Sequence, residues 1–120
     1  MIKIMLACSA GMSTSLLVTK MESAAKENGI ESQIWAIPES TIQNEIEKCD
    51  VLLLGPQVRY VLPKAQEIAK PYNIPVEVIN MMHYGTVNGE AVLNRAIELN
   101  NTNINYNVFL IYKLGESKDG

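Results

Sequence analysis

Four short apolar segments alternate with amphipathic segments along the first hundred residues. The segments at 2–7, 31–37, 51–54 and 75–79 predict strands, and 51–54 is so strongly apolar that we expect it at the centre of a sheet. Between them, apolar residues recur at helical spacing. Strands that alternate with helices through short connections favour right-handed crossovers and a parallel sheet covered on both faces. The pattern therefore predicts an α/β fold in three layers.

The ends of the predicted helices carry their own signals. Gly29 is well placed to end the first helix, because glycine adopts the left-handed conformation common at helix C-termini. Ser40 with Gln43 resembles a capping box that opens a short second helix. Asn88 is a good N-cap for the last helix of the repeating pattern.

Residues 100–120 do not follow the alternation. The asparagine-rich stretch at 100–103 resembles a linker, and the segment 108–112 has strong β character. The sequence leaves three outcomes open for this segment: an added edge strand, a contact with another copy of the protein, or a flexible tail. We therefore divide the chain into a domain at 1–99 and a C-terminal extension at 100–120 of unknown structure.

Composition and charge narrow the functional classes. The 120 residues are 48% hydrophobic and 19% charged, which is ordinary for a globular domain. The net charge is −3 and the ten basic residues are scattered, so the sequence favours neither a nucleic-acid binder nor a polybasic membrane anchor. No apolar run approaches the roughly 18 to 20 residues of a membrane span, and the N-terminus lacks a signal-peptide layout. Two widely separated cysteines predict neither a disulfide framework nor a metal site, and we expect no cofactor. A cytosolic protein without direct membrane insertion is the expectation.

The loop after the first predicted strand is the candidate site. In an open parallel sheet, ligands bind beyond the carboxyl ends of the strands. If the first strand lies beside the third, a crevice forms between the loop that starts at Cys8 and the loop at 55–57. Small residues after Cys8 allow several backbone N–H groups to converge at a helix N-terminus, which suits a dianionic phosphate. Hydroxyl donors come from Ser9, Ser13, Thr14 and Ser15.

Cys8 is the candidate nucleophile. The N–H groups that would hold a phosphate also favour a thiolate and so activate the sulfur. This interpretation requires a sulfur that can be reached from solvent and peptide N–H groups directed towards it. A buried cysteine that merely ends a strand is the alternative, but a simple turn does not need the many donors that follow Cys8.

This layout is similar to that of the low-molecular-weight protein tyrosine phosphatases, with two departures. Those enzymes need Cys-x5-Arg, so that the arginine can hold the phosphate with two hydrogen bonds. The sixth residue after Cys8 is Thr14, and no Asp-Pro motif supplies an acid for the leaving group. A phosphocysteine here should persist until an acceptor arrives, which favours a carrier over a hydrolase.

The chain closely resembles the IIB component of the lactose/cellobiose family of the bacterial phosphoenolpyruvate-dependent sugar phosphotransferase system. The matching stretches are Cys8–Leu17, Val51–Gln57, Pro75–Ile79, and Tyr84-Gly85 before Val92-Leu93. The resemblance implies a four-stranded parallel sheet of order 2-1-3-4 with a phosphatase-like phosphate loop after strand 1. It also implies that the loop holds the phosphate through Ser9, Ala10, Gly11, Met12, Ser13, Thr14 and Ser15.

The same resemblance implies a phosphotransferase with a phosphocysteine intermediate. Cys8 would accept phosphate from a phosphohistidine of the IIA partner and pass it to a sugar presented by the membrane-embedded IIC partner. The expected sugar is a β-linked disaccharide of the cellobiose or chitobiose type. The protein would be cytoplasmic, and transiently at the inner face of the plasma membrane through IIC. A phosphatase-like hydrolase and a non-catalytic phosphate sensor remain the alternatives.

A few further residues lie where a partner could dock. Pro56, Gln57 and Arg59 follow the third strand, and Tyr84 falls in the loop that matches the family after the fourth. The only histidine, His83, is more often a solvated surface group at such a position. Cys49 precedes the third strand, at the opposite end from the site, and we expect it to be a structural thiol.

Overall fold

The computed structural model describes residues 1–9 and 12–119, with the side chains of this part except at 12, 13, 105–108 and 114–119. The strands are β1 (Ile2–Cys8), β2 (Ser32–Pro38), β3 (Val51–Leu54) and β4 (Val76–Val78). The helices are α1 (Met12–Glu27), α2 (Ile42–Glu45), α3 (Leu62–Ala69), α4 (Met81–Gly85) and α5 (Gly89–Asp119). Short 3₁₀ turns flank α2 and α3.

The four strands form one parallel sheet in the order β2-β1-β3-β4. Ile4 pairs with Ile34 on one side and with Val51 on the other, so β1 lies at the centre. The predicted strand boundaries agree with the structure to within one residue at β1, β2 and β3, and the expected order 2-1-3-4 is confirmed. Because all strands run in one direction, their carboxyl ends, including Cys8, lie along a single edge of the sheet.

Each face of the sheet has its own hydrophobic core. Ile4 and Leu6 of β1 point to the face that α1 and α5 cover, whereas Met5 and Ala7 point to the face that α2 and α3 cover. Successive side chains of a strand alternate between faces, and all four are fully buried, so β1 contacts both layers of helices. The three-layer prediction is thus confirmed.

Two of the three predicted helix-end signals are confirmed. Gly29 has a φ of 66° directly after α1, and the Asn88 side chain accepts a hydrogen bond from the Ala91 N–H at the start of α5. The capping box at Ser40 is wrong. A 3₁₀ turn occupies that position, and the N-cap of α2 is Thr41, whose hydroxyl donates backwards to the Pro38 carbonyl instead of accepting from α2.

The C-terminal extension is helical. Helix α5 continues without interruption from Gly89 to Asp119, so neither the linker at 100–103 nor a strand at 108–112 is present. The β-propensity of a residue reflects how its side chain packs against the side chains of a neighbouring strand. A segment that does not pair with a strand gains nothing from this preference.

Candidate functional site

The end of β1 and the start of α1 build the site. Cys8 is the last residue of β1, and α1 begins at Met12. The first turn of a helix leaves four backbone N–H groups without partners inside the helix, and the helix dipole adds partial positive charge there. The sequence thereby places a cysteine beside a helix N-terminus, where a negative group is stabilised.

The contact between Cys8 and Thr14 is the central geometric feature. Cys8 Sγ lies 3.1 Å from Thr14 Oγ1. Thr14 is fully buried, and it is the one buried polar or charged side chain in the part of the chain that the structure describes. A hydroxyl at this distance donates a hydrogen bond to a thiolate, as an arginine would in the phosphatase layout, but it brings no charge.

The sulfur itself is covered. Cys8 is 1% exposed, so the expectation of a thiol open to solvent is wrong for this structure. Reacting atoms must approach to about 3–3.5 Å for transfer to occur. Any reaction at Cys8 therefore requires that the atoms covering the sulfur move aside when a donor docks.

The predicted phosphate-loop residues are only partly described. Ser9 and Ser15 are exposed. Ala10 and Gly11 lie outside the described residues, as do the side chains of Met12 and Ser13. Their predicted role in holding phosphate stays a prediction.

Gly55 is a site residue that the sequence analysis did not select. Its backbone N–H donates to the Ala7 carbonyl at 2.8 Å, which continues the sheet beyond β3. A Cβ atom at position 55 would lie 3.6 Å from the Cys8 Cβ and 3.0 Å from the Gln57 side-chain oxygen. A side chain here would crowd the Gln57 side chain and lie in van der Waals contact with Cys8, a constraint that depends on tertiary packing and has no local sequence signal.

Of the predicted partner contacts, the structure brings two together. Gln57 donates a hydrogen bond from Nε2 to the Tyr84 hydroxyl at 3.1 Å, and this bond joins the segment after β3 to helix α4. The Tyr84 ring is partly buried against the core under α1 and α5. Arg59 is exposed and Pro56 is buried. Their predicted contacts with a partner stay predictions.

The remaining candidates lie away from Cys8. Cys49 is buried before β3 and donates from Sγ to the Ile46 carbonyl at 3.3 Å. Burial, and to a smaller extent the neighbouring Asp50 carboxylate, raises the pKa of the Cys49 thiol to about 12. His83 lies in α4 beside a cavity of about 580 Å³ along the free edge of β4, and not in a loop as expected.

Arg95 is held by carboxylates. It makes two hydrogen bonds of 2.7 Å to Glu77 and one of 2.8 Å to Glu98. These partners raise the pKa of its guanidinium above the ordinary value. Since the sequence has only two arginines, Arg59 is the one left for an anionic group. Among the described residues, no group of three or more His, Cys, Asp and Glu side chains is placed to hold a metal ion.

Comparison with known proteins gives consistent matches. The family model described as "PTS system, Lactose/Cellobiose specific IIB subunit" matches residues 3–95. The oligo-beta-mannoside-specific EIIB component of Bacillus subtilis is 46% identical over 97 residues, which covers 81% of this chain and 94% of that protein. The galactose-specific and cellobiose-specific EIIB components of Lactococcus lactis are 46% and 45% identical, and each alignment covers 82% of this chain and 95% of the relative.

Solved structures agree with these matches. The solution structure of the cellobiose-specific phosphotransferase IIB component from Borrelia burgdorferi has a TM-score of 0.72 and 45% identity, and the match covers 85% of this chain and 94% of that one. The lactose-specific IIB domain from Streptococcus pneumoniae has a TM-score of 0.75 at 16% identity, over 82% of this chain and 96% of that one. The second match supports the fold alone.

Proposed function

Because the chain belongs to the lactose/cellobiose-specific IIB family of the phosphotransferase system, we propose that Cys8 is the residue that carries the phosphoryl group. The observation that supports this assignment is the contact of 3.1 Å between Cys8 Sγ and the buried Thr14 hydroxyl, directly at the N-terminus of α1. The other cysteine, Cys49, is held protonated by burial at the opposite end of β3.

The proposed reaction has two steps. The Cys8 thiolate attacks the phosphorus atom of a phosphohistidine on IIA, so an S–P bond forms while the P–N bond breaks and the imidazole leaves. A sugar hydroxyl then attacks the same phosphorus atom, an O–P bond forms, the S–P bond breaks, and the thiolate is regenerated as the hydroxyl loses its proton. Backbone N–H groups of residues 9–15 would stabilise the charge on the phosphoryl oxygens in both steps.

Thr14 has a defined part in this scheme. We propose that its hydroxyl, which lies 3.1 Å from the Cys8 sulfur, donates to the thiolate before transfer and to a phosphoryl oxygen afterwards. A neutral donor holds the phosphoryl group more weakly than an arginine fork. The scheme therefore favours a phosphocysteine that waits for an acceptor over one that is hydrolysed.

The partners follow from the family. A IIB component works between a IIA donor and a IIC transporter, and we propose that Arg59, Gln57 and Tyr84 contact one of them at the edge of the sheet that bears Cys8. No helix in the described part of the chain is long and apolar enough to cross a membrane. We place the protein in the cytoplasm, with transient contact to the inner membrane face through IIC.

The identity of the sugar that is phosphorylated is the most specific part of the proposal. Relatives with nearly equal identity are named for oligo-beta-mannosides, galactose and cellobiose, so overall identity does not select among these sugars. We propose a β-linked disaccharide of the cellobiose or chitobiose type. Phosphorylation of a sugar panel in membranes that contain the cognate IIC tests this choice, and phosphorylation of galactose alone would contradict it.

The experiment that tests the transfer itself compares Cys8→Ser with Cys49→Ser. With phosphorylated IIA as donor, we expect the wild type and Cys49→Ser to accept phosphate and Cys8→Ser to accept none. Full transfer by Cys8→Ser would contradict the proposal. Turnover of an aryl phosphate without IIA would indicate a hydrolase. Phosphate binding without any sugar phosphate when IIC is present would indicate a sensor.

Thr14 variants test the hydroxyl separately. Thr14→Val keeps the shape but removes the donor, whereas Thr14→Ser keeps the donor. Loss of one hydrogen bond to a charged group is expected to slow acceptance about 10- to 100-fold in Thr14→Val, with most of the rate kept in Thr14→Ser. Equal rates of phosphate acceptance in Thr14→Val and Thr14→Ser would show that the Thr14 hydroxyl has no role in the transfer.

A further inference from the structure

Helix α5 projects beyond the folded body of the domain. The Asn103 side chain donates to the Asn73 carbonyl at 2.9 Å and so fastens the helix to the turn before β4. The next described side chains are all exposed, and the longest dimension of the molecule is 54 Å. The family model matches residues 3–95, so the projecting part lies outside that match.

The exposed side chains of this projection form an apolar stripe, which we define as Ile104, Ile111 and Tyr112. They are 49%, 70% and 66% exposed. Their spacing of seven and eight residues places them on one face of the helix. Ile97, seven residues before Ile104, is partly buried against the core on the same helix. The isoleucine repeat of seven residues therefore starts in the core and continues outward, as in helices that pair.

The aromatic ring of Phe109 has a partner within its own helix. Lys113 Nζ lies 5.5 Å from the centre of the Phe109 ring, at cation–π distance. At 100° per residue, Phe109 and Leu110 point away from the centre of the apolar stripe. Phe109 and Leu110 are also exposed, at 53% and 39%, on other faces of the helix, and the stripe is the face along which the isoleucine repeat continues.

Charge decides which occupant fits this surface. Residues 100–119 carry Lys113 and Lys118 against Glu116 and Asp119, a net charge of zero. Helices that lie on anionic membranes are rich in lysine and arginine, so charge does not draw this one to lipid. A second copy offers the same uncharged stripe, and an isologous contact pairs a surface with itself.

The length of the projection sets the size of the contact. The part of α5 beyond Asn103, residues 104–119, spans about 24 Å. Two such helices side by side bury on the order of 1,000 Å² in total, the lower end of what specific interfaces need. We infer that residues 104–119 form a self-association helix, in which the apolar stripe packs against the same stripe of a second copy. This contact is independent of the chemistry at Cys8, and a dissociation constant in the micromolar range is expected.

Sedimentation velocity of the full chain over a micromolar concentration series tests the inference. The wild type should show a concentration-dependent equilibrium between monomer and dimer. The double variant Ile104→Gln/Ile111→Gln should weaken association at least about tenfold, because it removes two apolar side chains from the contact. Leu110→Gln, an apolar-to-polar change on another face, should stay within about threefold of the wild type. Circular dichroism checks that all three proteins keep their fold.

Three outcomes would overturn the inference. The first is a wild type that stays monomeric throughout the series. The second is a double variant that associates as strongly as the wild type, or a Leu110→Gln variant that weakens as much as the double variant. The third is a monomeric wild type that sediments with phosphatidylglycerol vesicles, which would assign the stripe to a lipid surface.

Discussion

Replacement of Gly89 by alanine tests the packing of α5 against α1. Gly89 is the first residue of α5, and a Cβ atom built there would lie 2.4 Å from the Lys20 carbonyl carbon and 2.6 Å from the Met21 nitrogen. Both are backbone atoms in the middle of α1, so they cannot turn away as a side chain would. The two helices must separate to admit the methyl group.

The size of the effect follows from this overlap. Ordinary contacts of a Cβ atom begin near 3.4 Å, so the helices must shift by about 1 Å. Overpacking of this kind lowers the free energy of unfolding by about 1–3 kcal/mol. For a domain of this length, that loss corresponds to a melting temperature lower by about 4–12 °C.

Gly85 provides the matched control. It lies four residues earlier, at the end of α4, and a Cβ atom there would meet nothing within 4 Å. Gly85→Ala should leave the free energy of unfolding within about 1 kcal/mol of the wild type, with a gain as the expected sign because alanine has less freedom to lose. Urea denaturation followed by circular dichroism measures both variants. A Gly89→Ala protein as stable as Gly85→Ala would refute the close approach of the two helices.

Two further predictions concern the cores and pH. Leu93 of α5 is fully buried in the core that α1 and α5 cover. Leu93→Ala should therefore lower the free energy of unfolding by about 2–5 kcal/mol in a urea titration, and a loss below about 1 kcal/mol would contradict its burial. Burial raises the pKa of Cys49 from 9.0 to about 12, so above pH 9 the unfolded thiol ionises while the folded one stays protonated. Stability should fall between pH 9 and pH 12, by about 1.4 kcal/mol at pH 10 relative to neutral pH. In Cys49→Ala, the part of this loss of stability that comes from the thiol should be absent. An identical pH dependence of stability in the wild type and in Cys49→Ala would contradict the prediction.

The strands were predictable because a strand that is buried on both faces has apolar residues at nearly every position. The run Val51–Leu54 is apolar at every position, as a strand covered on both faces requires, and it lies inside the sheet between β1 and β4. The position of Cys8 between a strand and a helix could also be predicted from the local sequence. Its sequence neighbours alone predict an anion site at the start of α1, and this site stays a prediction.

The prediction for residues 100–120 is wrong because the signals that suggested a break in the helix are energetically weak. Asparagine costs a helix only about 0.7 kcal/mol relative to alanine, and no glycine or proline interrupts residues 90–114. Once α5 is nucleated against α1, each added residue gains a hydrogen bond, and the helix continues through 100–103. The β-branched and aromatic residues at 108–112 meet no strand with which to pair.

Other features depend on contacts between distant residues. The hydrogen bond from Gln57 to Tyr84 joins positions 27 residues apart, and the close approach of Gly55 to Cys8 depends on the pairing of β1 with β3. The burial of the Cys8 sulfur is likewise a result of packing. The local sequence around these residues does not predict such contacts.

The position of the phosphoryl group on the protein decides whether Cys8 carries it. The full chain is phosphorylated from phosphoenolpyruvate through the general phosphotransferase proteins and IIA, then digested and mapped by mass spectrometry. We expect one phosphate per chain, cleaved by iodine, on the peptide that contains Cys8. Phosphate on His83 or Cys49, or a Cys8 peptide that stays unmodified while sugar phosphate accumulates, would contradict it.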